Sequence, residues 1–386
     1  MSITLDVKDL RLAAGEAASV AVGGTAPPIL GNVLIQEGPG GAIRFSATDL
    51  DTVLDRHVQA AQGTLAREPL KITVSARFLS AIAAKLPDGA QVALELENAA
   101  RLKVSSGRAR FTLPTLPVDD FPLFTEEDWA AEFELPAKVL ARLIDTISFA
   151  ASTEETRYYL NGLFLHAVDG MLRAAATDGH RLARTQIALP EGAESLPGPG
   201  VIVPRRALSV IRKLIDHMPA GDGDASQLVQ IAVSARKAQF DFAGTVFTTK
   251  LIDGTFPDYV RVIPTGNNLL LKVDKAVLRE AAERVATIAS ERTRALKVET
   301  AKDRVTLTVT SPESGLAVEE LPADYAGDEL TIGFNVRYLI EVLDRVEGDI
   351  VHFAMADAAA PTLITAPPAE PGAAPDTLFV LMPLRV

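Results

Sequence analysis

Ile72-Thr73-Val74-Ser75-Ala76-Arg77-Phe78-Leu79 reappears as Val201-Ile202-Val203-Pro204-Arg205-Arg206-Ala207-Leu208, and again as Ile332-Gly333-Phe334-Asn335-Val336-Arg337-Tyr338-Leu339. Counted from Ser75, Pro204 and Asn335, each copy has Arg at +2, Leu at +4, Ile or Val at +7 and Leu, Ile or Val at +11. The copies lie 129 and 131 residues apart in a chain of 386. The offsets of +4, +7 and +11 line one apolar helix face. Three like-folded units in tandem suit a geometric task better than a single catalytic pocket.

A second triplet precedes the first. Asp6, Pro136 and Asp274 open helical patterns, with Leu10, Leu140 and Leu278 four residues on. An Asp at an N-cap accepts a bond from an orphan amide, and a Pro in the first turn loses none. Each third is therefore expected to hold two helices. Strands are expected at Ile43–Ser46, Val92–Leu96, Leu102–Val104, Leu163–Ala167, Leu172–Ala176, Gln239–Phe242, Thr245–Leu251, Val305–Thr310 and Ile350–Met355. Turn chemistry separates elements at Pro87-Asp88-Gly89, Asp169-Gly170 and Glu347-Gly348-Asp349. The fold class is α+β: three tandem domains, each with two helices packed on antiparallel sheet. Pro- and Gly-bearing stretches at Leu113–Glu132 and Asp253–Asn268 set the boundaries, giving domains 1–126, 131–264 and 268–386. Pro190–Gly200 and Pro367–Pro375 are expected to be tolerated loop insertions without chemistry.

Composition narrows the function. With 48% hydrophobic and 23% charged residues the chain is a globular protein. No run is apolar for the roughly 20 residues a bilayer span needs, so no membrane role is expected. Met1–Asp6 shows no basic region followed by an apolar run, and the expected location is cytoplasmic. Zero Cys removes disulfides, thiolate metal sites and a Cys nucleophile.

The net charge of −12 argues against nucleic acid until its distribution is considered. The six helix segments together carry +4, which leaves the rest of the chain at −16. If the helices share a surface, that surface attracts phosphate while the remainder repels it.

Thr177-Asp178-Gly179-His180-Arg181-Leu182 is the string nearest to a catalytic motif. Asp178 and His180 could form an acid–base pair, yet Asp-Gly after a β-rich run is also the commonest hairpin signal. Arg157-Tyr158-Tyr159 could reach phosphates without reading bases, or pack as rim aromatics. The C-terminal Leu378–Val386 reads as a strand whose last residues escape pairing at Pro383 and either fray or wall a pocket for a partner's peptide. No Walker A loop, G-x-G-x-x-G, G-x-S-x-G or H-E-x-x-H occurs, so no catalytic residue, metal or cofactor is expected.

At several of these residues the chain resembles the bacterial DNA sliding clamps, the beta subunits of DNA polymerase III. The strings are Pro28-Ile29-Leu30-Gly31-Asn32, Thr48-Asp49-Leu50, Arg157–Gly162, Ala176–Leu182, Val201–Pro204, Phe256-Pro257-Asp258-Tyr259 and Met382-Pro383-Leu384-Arg385, spread over the whole length. The resemblance implies the DNA clamp fold and a head-to-tail homodimeric ring. Such a ring encircles double-stranded DNA without sequence readout, and it is placed by a clamp loader. It tethers polymerase subunits and other proteins that carry short clamp-binding peptides.

Residue by residue, the resemblance implies DNA contacts at Arg77, Tyr158 and Tyr159, with Arg157, Arg205 and Arg206 close by. Thr25 and Glu154 depart from the pattern, where Arg and Gln are familiar. A partner-peptide pocket is implied at Leu160, Thr177, Gly179, His180, Arg181, Leu182, Pro257, Val262, Pro361, Val380, Met382, Pro383 and Leu384. Phe111, Leu113 and Ile288 resemble the apolar patch that joins two subunits. Two alternatives stand beside this one: a metal-dependent hydrolase using Asp178 and His180, and a clamp paralogue that replaces the housekeeping copy under drug exposure.

Overall fold

The computed structural model describes residues 2–61, 69–98, 100–125, 127–218, 227–290, 294–368, 370 and 374–386. Among them run six α-helices: α1 Val7–Val20, α2 Ala76–Lys85, α3 Ala137–Ile147, α4 Arg205–His217, α5 Lys275–Ala286 and α6 Val336–Leu343. All six begin where the two repeated patterns place them. Every expected strand is also present, with Phe242 and Leu251 just past the ends of theirs.

The helix starts show how one plan is written three times. Ser75, Asp274 and Asn335 cap α2, α5 and α6 by accepting from the amides of Phe78, Val277 and Arg337. Asp6 makes no side-chain cap bond, and Pro136 and Pro204 close strands rather than enter helices. At five of the helices a chain crossing takes the first amide, whether or not a side chain caps the end. Val7, Ala137 and Lys275 donate to the carbonyls of Ala90, Gln227 and Asp349 at 2.9, 2.7 and 2.7 Å. Arg205 and Val336 donate to Asn161 and Arg294 at 2.9 and 3.0 Å.

The chain divides into two compact units, one of Met1–Ala141, Pro190–Pro197 and Arg206–Leu251, the other of Arg142–Leu189, Gly198–Arg205 and Ile252–Val386. In the first, an antiparallel sheet of four strands runs Ser2–Asp6, Gln91–Asn98, Arg101–Ser106, Ala109–Pro114. A sheet of eight follows the order Lys71–Ser75, Asn32–Glu37, Ala42–Thr48, Thr52–Gln59, Thr245–Lys250, Lys237–Asp241, Leu228–Val233, Ala131–Pro136. Helix α1 packs on α2 and on these strands through Val7, Leu10, Ala13, Ala14, Ala17 and Val20, all buried. Its alanines permit close approach to the sheet.

Where Thr52–Gln59 pairs with Thr245–Lys250, the helices leave one carboxylate in the core. Glu16 of α1 is 2% exposed and accepts from Thr245 Oγ1 at 2.9 Å. Arg56 Nη1 lies 3.6 Å from it and donates to the same Thr245 hydroxyl at 2.7 Å. Burial raises the Glu16 pKa, and Arg56 opposes that shift.

The second unit repeats the scheme. Its eight-stranded sheet runs Val201–Pro204, Gly162–Val168, Met171–Thr177, Arg181–Ala188, Thr377–Leu381, Thr362–Thr365, Ile350–Met355, Leu269–Asp274. Its four-stranded sheet runs Gly315–Pro322, Arg304–Ser311, Ala295–Ala301, Leu330–Asn335, and α5 packs on α6. The hairpin at Asp169-Gly170 has positive φ at both residues, 52° and 71°, as a two-residue turn of matching twist demands.

Two expectations change. Pro190–Gly200 is built in, since Ala193 is fully buried and Gly192, at φ 89°, leaves no room for a Cβ, which would sit 1.9 Å from the Glu132 carbonyl. The C-terminal residues do not simply escape pairing at Pro383, because the Leu384 amide donates to Gly333 O at 2.8 Å. Of Pro367–Pro375, residues 369 and 371–373 lie outside the described residues.

Gly162 pairs with Pro204 so closely that an added Cβ would meet Val203 O at 2.3 Å. Gly162→Ala is expected to lower the midpoint of thermal unfolding by roughly 5 °C, the shift that about 2–3 kcal/mol produces in a domain of this size. Calorimetry with an unchanged midpoint would show that these strands part freely.

Candidate functional site: an apolar peptide pocket and a set of exposed cations

One face of the second eight-stranded sheet is apolar by register. Thr177 stands opposite Leu182, Leu182 opposite Val380, and Val380 opposite Leu363. Leu160, Leu182 and Val380 are buried in one cluster with Phe164, Phe256, Tyr259 and Leu378. The Phe164 and Phe256 rings stack at 4.8 Å. Exposed apolar groups lie close to these residues in the chain: Val262, three residues after Tyr259, is 47% exposed, and Met382 and Leu384, just past Val380, are 40% and 38% exposed. Pro257 is exposed and Pro361 half-buried, its carbonyl accepting from Asn267 Nδ2 at 2.9 Å. A buried apolar floor with an exposed apolar rim is the chemistry that receives apolar side chains.

The Thr177–Leu182 turn is braced from within. Asp178 Oδ1 accepts from the amides of His180 and Arg181 at 2.9 and 3.0 Å, and Thr177 Oγ1 accepts from the amide of Gly179 at 3.1 Å. Asp178 also pairs with Arg181 Nε at 3.1 Å. Its carboxylate is thus committed to the turn and does not touch the His180 ring, so the pair is not arranged as acid and base. His180 is exposed, 6.5 Å from the Tyr338 ring, and its carbonyl accepts from the Met382 amide at 2.9 Å. Arg181 is 9% exposed and bonded to Asp178, Glu341 and the Phe149 carbonyl. A cavity of about 450 Å³ on this turn is lined by Phe149, Glu154, His180, Arg205, Tyr338 and Glu341 among others.

The tail crosses the third copy of the repeat at Gly333, where the other copies have Thr73 and Ile202. A Cβ there would lie 2.5 Å from Leu384 O and 2.4 Å from Val386 Cγ1. Glycine is required by this close approach, not by its φ.

Tyr259, flanked by exposed Val260 and Val262, is held from below. Its hydroxyl lies 2.9 Å from His166 Nε2, and the imidazole stacks on Phe164. Burial, with Arg173 and Arg184 nearby, lowers the His166 pKa to about 4.

The expected DNA-contacting side chains fall in both units. In the first, Arg77 is exposed beside the Phe78 ring, and Arg206 is exposed 3.0 Å from Asp49. In the second, Tyr158 is exposed and Arg205 lines the 450 Å³ cavity. Tyr159 is half-buried, its ring partly packed against the apolar cluster. Arg157 is bound by Glu154 at 2.7 Å, and that bond lowers the Glu154 pKa. It also lies against the pocket turn: a Cβ on Gly179, at φ 87°, would fall 2.7 Å from Arg157 Nη1. Thr25 is exposed.

Phe111 is exposed and Leu113 half-buried on Ala109–Pro114, an edge strand among the described residues. Ile288 is half-buried just beyond α5. The sequence patterns missed the other edge strand, Gly315–Pro322, where Leu316 and Val318 are 65% and 57% exposed. Apolar alternation there stops at Val318, because Glu319 and Glu320 follow, so the strand left only a weak signal. The patterns also missed Tyr338 and Glu341, which only tertiary contacts bring to the Thr177–Leu182 turn. No helix is long and apolar enough to cross a membrane, and no metal-binding cluster occurs among the described residues.

Three family models match: the DNA polymerase III beta subunit N-terminal domain over residues 1–125, its central domain over 134–258 and its C-terminal domain over 260–383. The chain is 42% identical to the beta sliding clamp of Caulobacter vibrioides over all of both chains. It is 36% identical to that of Escherichia coli K12 over 93% of each. Among solved structures it matches the DnaN sliding clamp of Bartonella birtlesii bound to griselimycin, with a TM-score of 0.91 at 38% identity over the full length of both. The Caulobacter crescentus pol III beta structure matches at 0.90 and 42%, again over all of both chains.

Gly333→Ala is expected to unseat Leu384 and Val386 while the fold persists. Amide exchange at Leu384 should then rise at least tenfold, and unaltered protection would show that the tail rests on other contacts. His166 gives a pH test. Its folded pKa lies below the ordinary 6.5, so its contribution to stability is present above 6.5 and is lost as the pH falls towards 4. His166→Gln should therefore lose less stability between pH 7 and 4.5 than the parent, measured by urea unfolding; parallel curves would contradict this.

Proposed function

This chain belongs to the DNA polymerase III beta subunit family, the sliding clamps, and we propose that two copies close head to tail into a ring that encircles double-stranded DNA. The subunit is a processivity factor and not an enzyme. Its role is tethering: holding a polymerase near its template keeps the local concentration high after each release.

The strand count carries the ring. The sheets hold four, eight, eight and four strands; of the edges of the two short ones, Ser2–Asp6 and Leu330–Asn335 already accept backbone bonds from Ala61 and Leu384, and Ala109–Pro114 and Gly315–Pro322 are the edges proposed to pair. Pairing one edge with the other edge of a second copy makes an eight-stranded sheet like the two already present. A head-to-tail contact of this kind is heterologous, and it closes only if its rotation is right. Phe111, Leu113 and Ile288 are the proposed apolar contacts, to which exposed Leu316 and Val318 add area. The proposed domains are 1–126, 131–264 and 268–386.

Toward DNA we assign Arg77, Arg157, Tyr158, Tyr159, Arg205 and Arg206. Charge supports this for Arg77, Arg205 and Arg206, which are exposed. Arg157 must exchange Glu154 for phosphate, so its contact is weaker. Sliding needs encirclement and not tight static contact.

Toward partners we assign the apolar face with Leu160, Leu182 and Val380 as floor, and Pro257, Val262, Pro361, Met382, Pro383 and Leu384 as rim. Thr177, Gly179, His180 and Arg181 form the turn beside it. Short apolar peptides of polymerase subunits and of a clamp loader are the proposed occupants, in the cytoplasm. The griselimycin-bound relative supports a ligand-receiving surface in this fold.

The deciding experiment loads the protein onto nicked circular DNA with a clamp loader, then measures retention in high salt before and after linearisation. Retention on the circle and loss from the ends is expected. Salt-sensitive binding that ignores linearisation would replace the ring by an ordinary electrostatic binder.

A further inference from the structure

Arg181 is placed so that it has little left to offer a ligand. Its Nε bonds Asp178 at 3.1 Å, Nη1 bonds Glu341, and Nη2 donates to the Phe149 carbonyl at 2.6 Å. The guanidinium carbon also lies over two rings, Tyr338 at 4.1 Å and Phe149 at 4.9 Å. An arginine recognises a partner through its N–H edges and its planar face, and here all three nitrogens already have protein partners. The group is also 9% exposed.

What these bonds fix is the turn. Asp178 holds the amides of His180 and Arg181, and Arg181 in turn holds Asp178. His180 O then receives the Met382 amide, and Arg181 pairs in register with Leu381 at the root of the tail. Two of the Arg181 partners, Tyr338 and Glu341, sit one helical turn apart on α6, in the stretch matched by the C-terminal domain model. Asp178 and Phe149 belong to the stretch matched by the central one. The pocket wall is therefore set by a contact between two domains of one unit.

We propose that Glu341 is a positioning residue for the peptide pocket, acting through Arg181 on His180 and the Met382–Leu384 rim. This rests on the assignment of the pocket to partner peptides. Glu341 does not itself belong to the apolar face, and its side chain is 48% exposed. Two carboxylates face one guanidinium, so neutralising Glu341 leaves the Arg181–Asp178 pair balanced and the fold intact. It loosens one of the three ties on the guanidinium. Removing Arg181 itself would strand Asp178 without its partner, a less informative change.

The test uses the full-length protein and a fluorescein-labelled peptide from the C-terminus of a polymerase subunit, followed by anisotropy. Glu341→Gln should weaken binding roughly fivefold, the effect of loosening one charge-assisted bond, with an unchanged melting temperature. Glu341→Asp should restore affinity to within about twofold, since it keeps the charge. In histidine-labelled protein the His180 ring resonance, assigned through His180→Gln, should shift in Glu341→Gln and return in Glu341→Asp. Parental affinity and an unmoved His180 resonance in Glu341→Gln would overturn the inference. Deletion of Met382–Val386 runs alongside: if it abolishes binding while Glu341→Gln does nothing, only the positioning role falls. If the deletion leaves affinity intact, the pocket assignment fails and this inference fails with it.

Discussion

Two antiparallel strand pairs join segments that are distant in sequence, and the rest of the structure depends on them. Thr52–Gln59 pairs with Thr245–Lys250, and Arg181–Ala188 pairs with Thr377–Leu381. Each pair fuses two short sheets into one of eight strands, so backbone hydrogen bonds cross from one sequence repeat to the next. Such a joint resists shear and bending in a way that a side-chain contact between separate domains does not, because every residue in register contributes. The compact units accordingly cut across the three sequence repeats. At the first joint the lining includes a buried glutamate with an arginine and a threonine, whose bonds tie α1 to both strands.

The second joint also builds the apolar face proposed to receive partner peptides. Leu182 and Val380 come from the two paired strands, and neither could form the apolar floor alone. The adjacent turn is aligned by Asp178 and Arg181, and the terminal residues are drawn back over Gly333. Function and assembly thus share one piece of backbone. A surface made this way is rigid before its ligand arrives, which reduces the ordering that binding requires.

Much of this was legible from local pattern. Helix positions followed from recurrent apolar offsets after Ser75, Pro204 and Asn335, because a helix buries one stripe whatever its partner is. The hairpin at Asp169-Gly170 followed from turn chemistry. The pocket residues proposed here come from the resemblance and not from local pattern. What stayed hidden was non-local. Nothing near Glu341 in sequence says that it will meet an arginine 160 residues away. Asp6 looks like a cap, yet its side chain makes no cap bond, and the first amide of α1 donates to the Ala90 carbonyl. Pro190–Gly200 reads as a loop because its composition is that of a loop, while the burial of Ala193 depends on a strand elsewhere.

The edge strands proposed to pair carry a further consequence, in the sign of their charges. Ala109–Pro114 bears one arginine and no acid, whereas Gly315–Pro322 bears two glutamates and no base. Laying either edge against its own kind would set like charges across a ladder, while unlike edges meet with opposite charge. Growth by the proposed contact would be polar, as in the links of a chain. Where a second link fails to turn back on the first, nothing in the edges themselves stops a third from being added, so closure is a matter of curvature and not of chemistry.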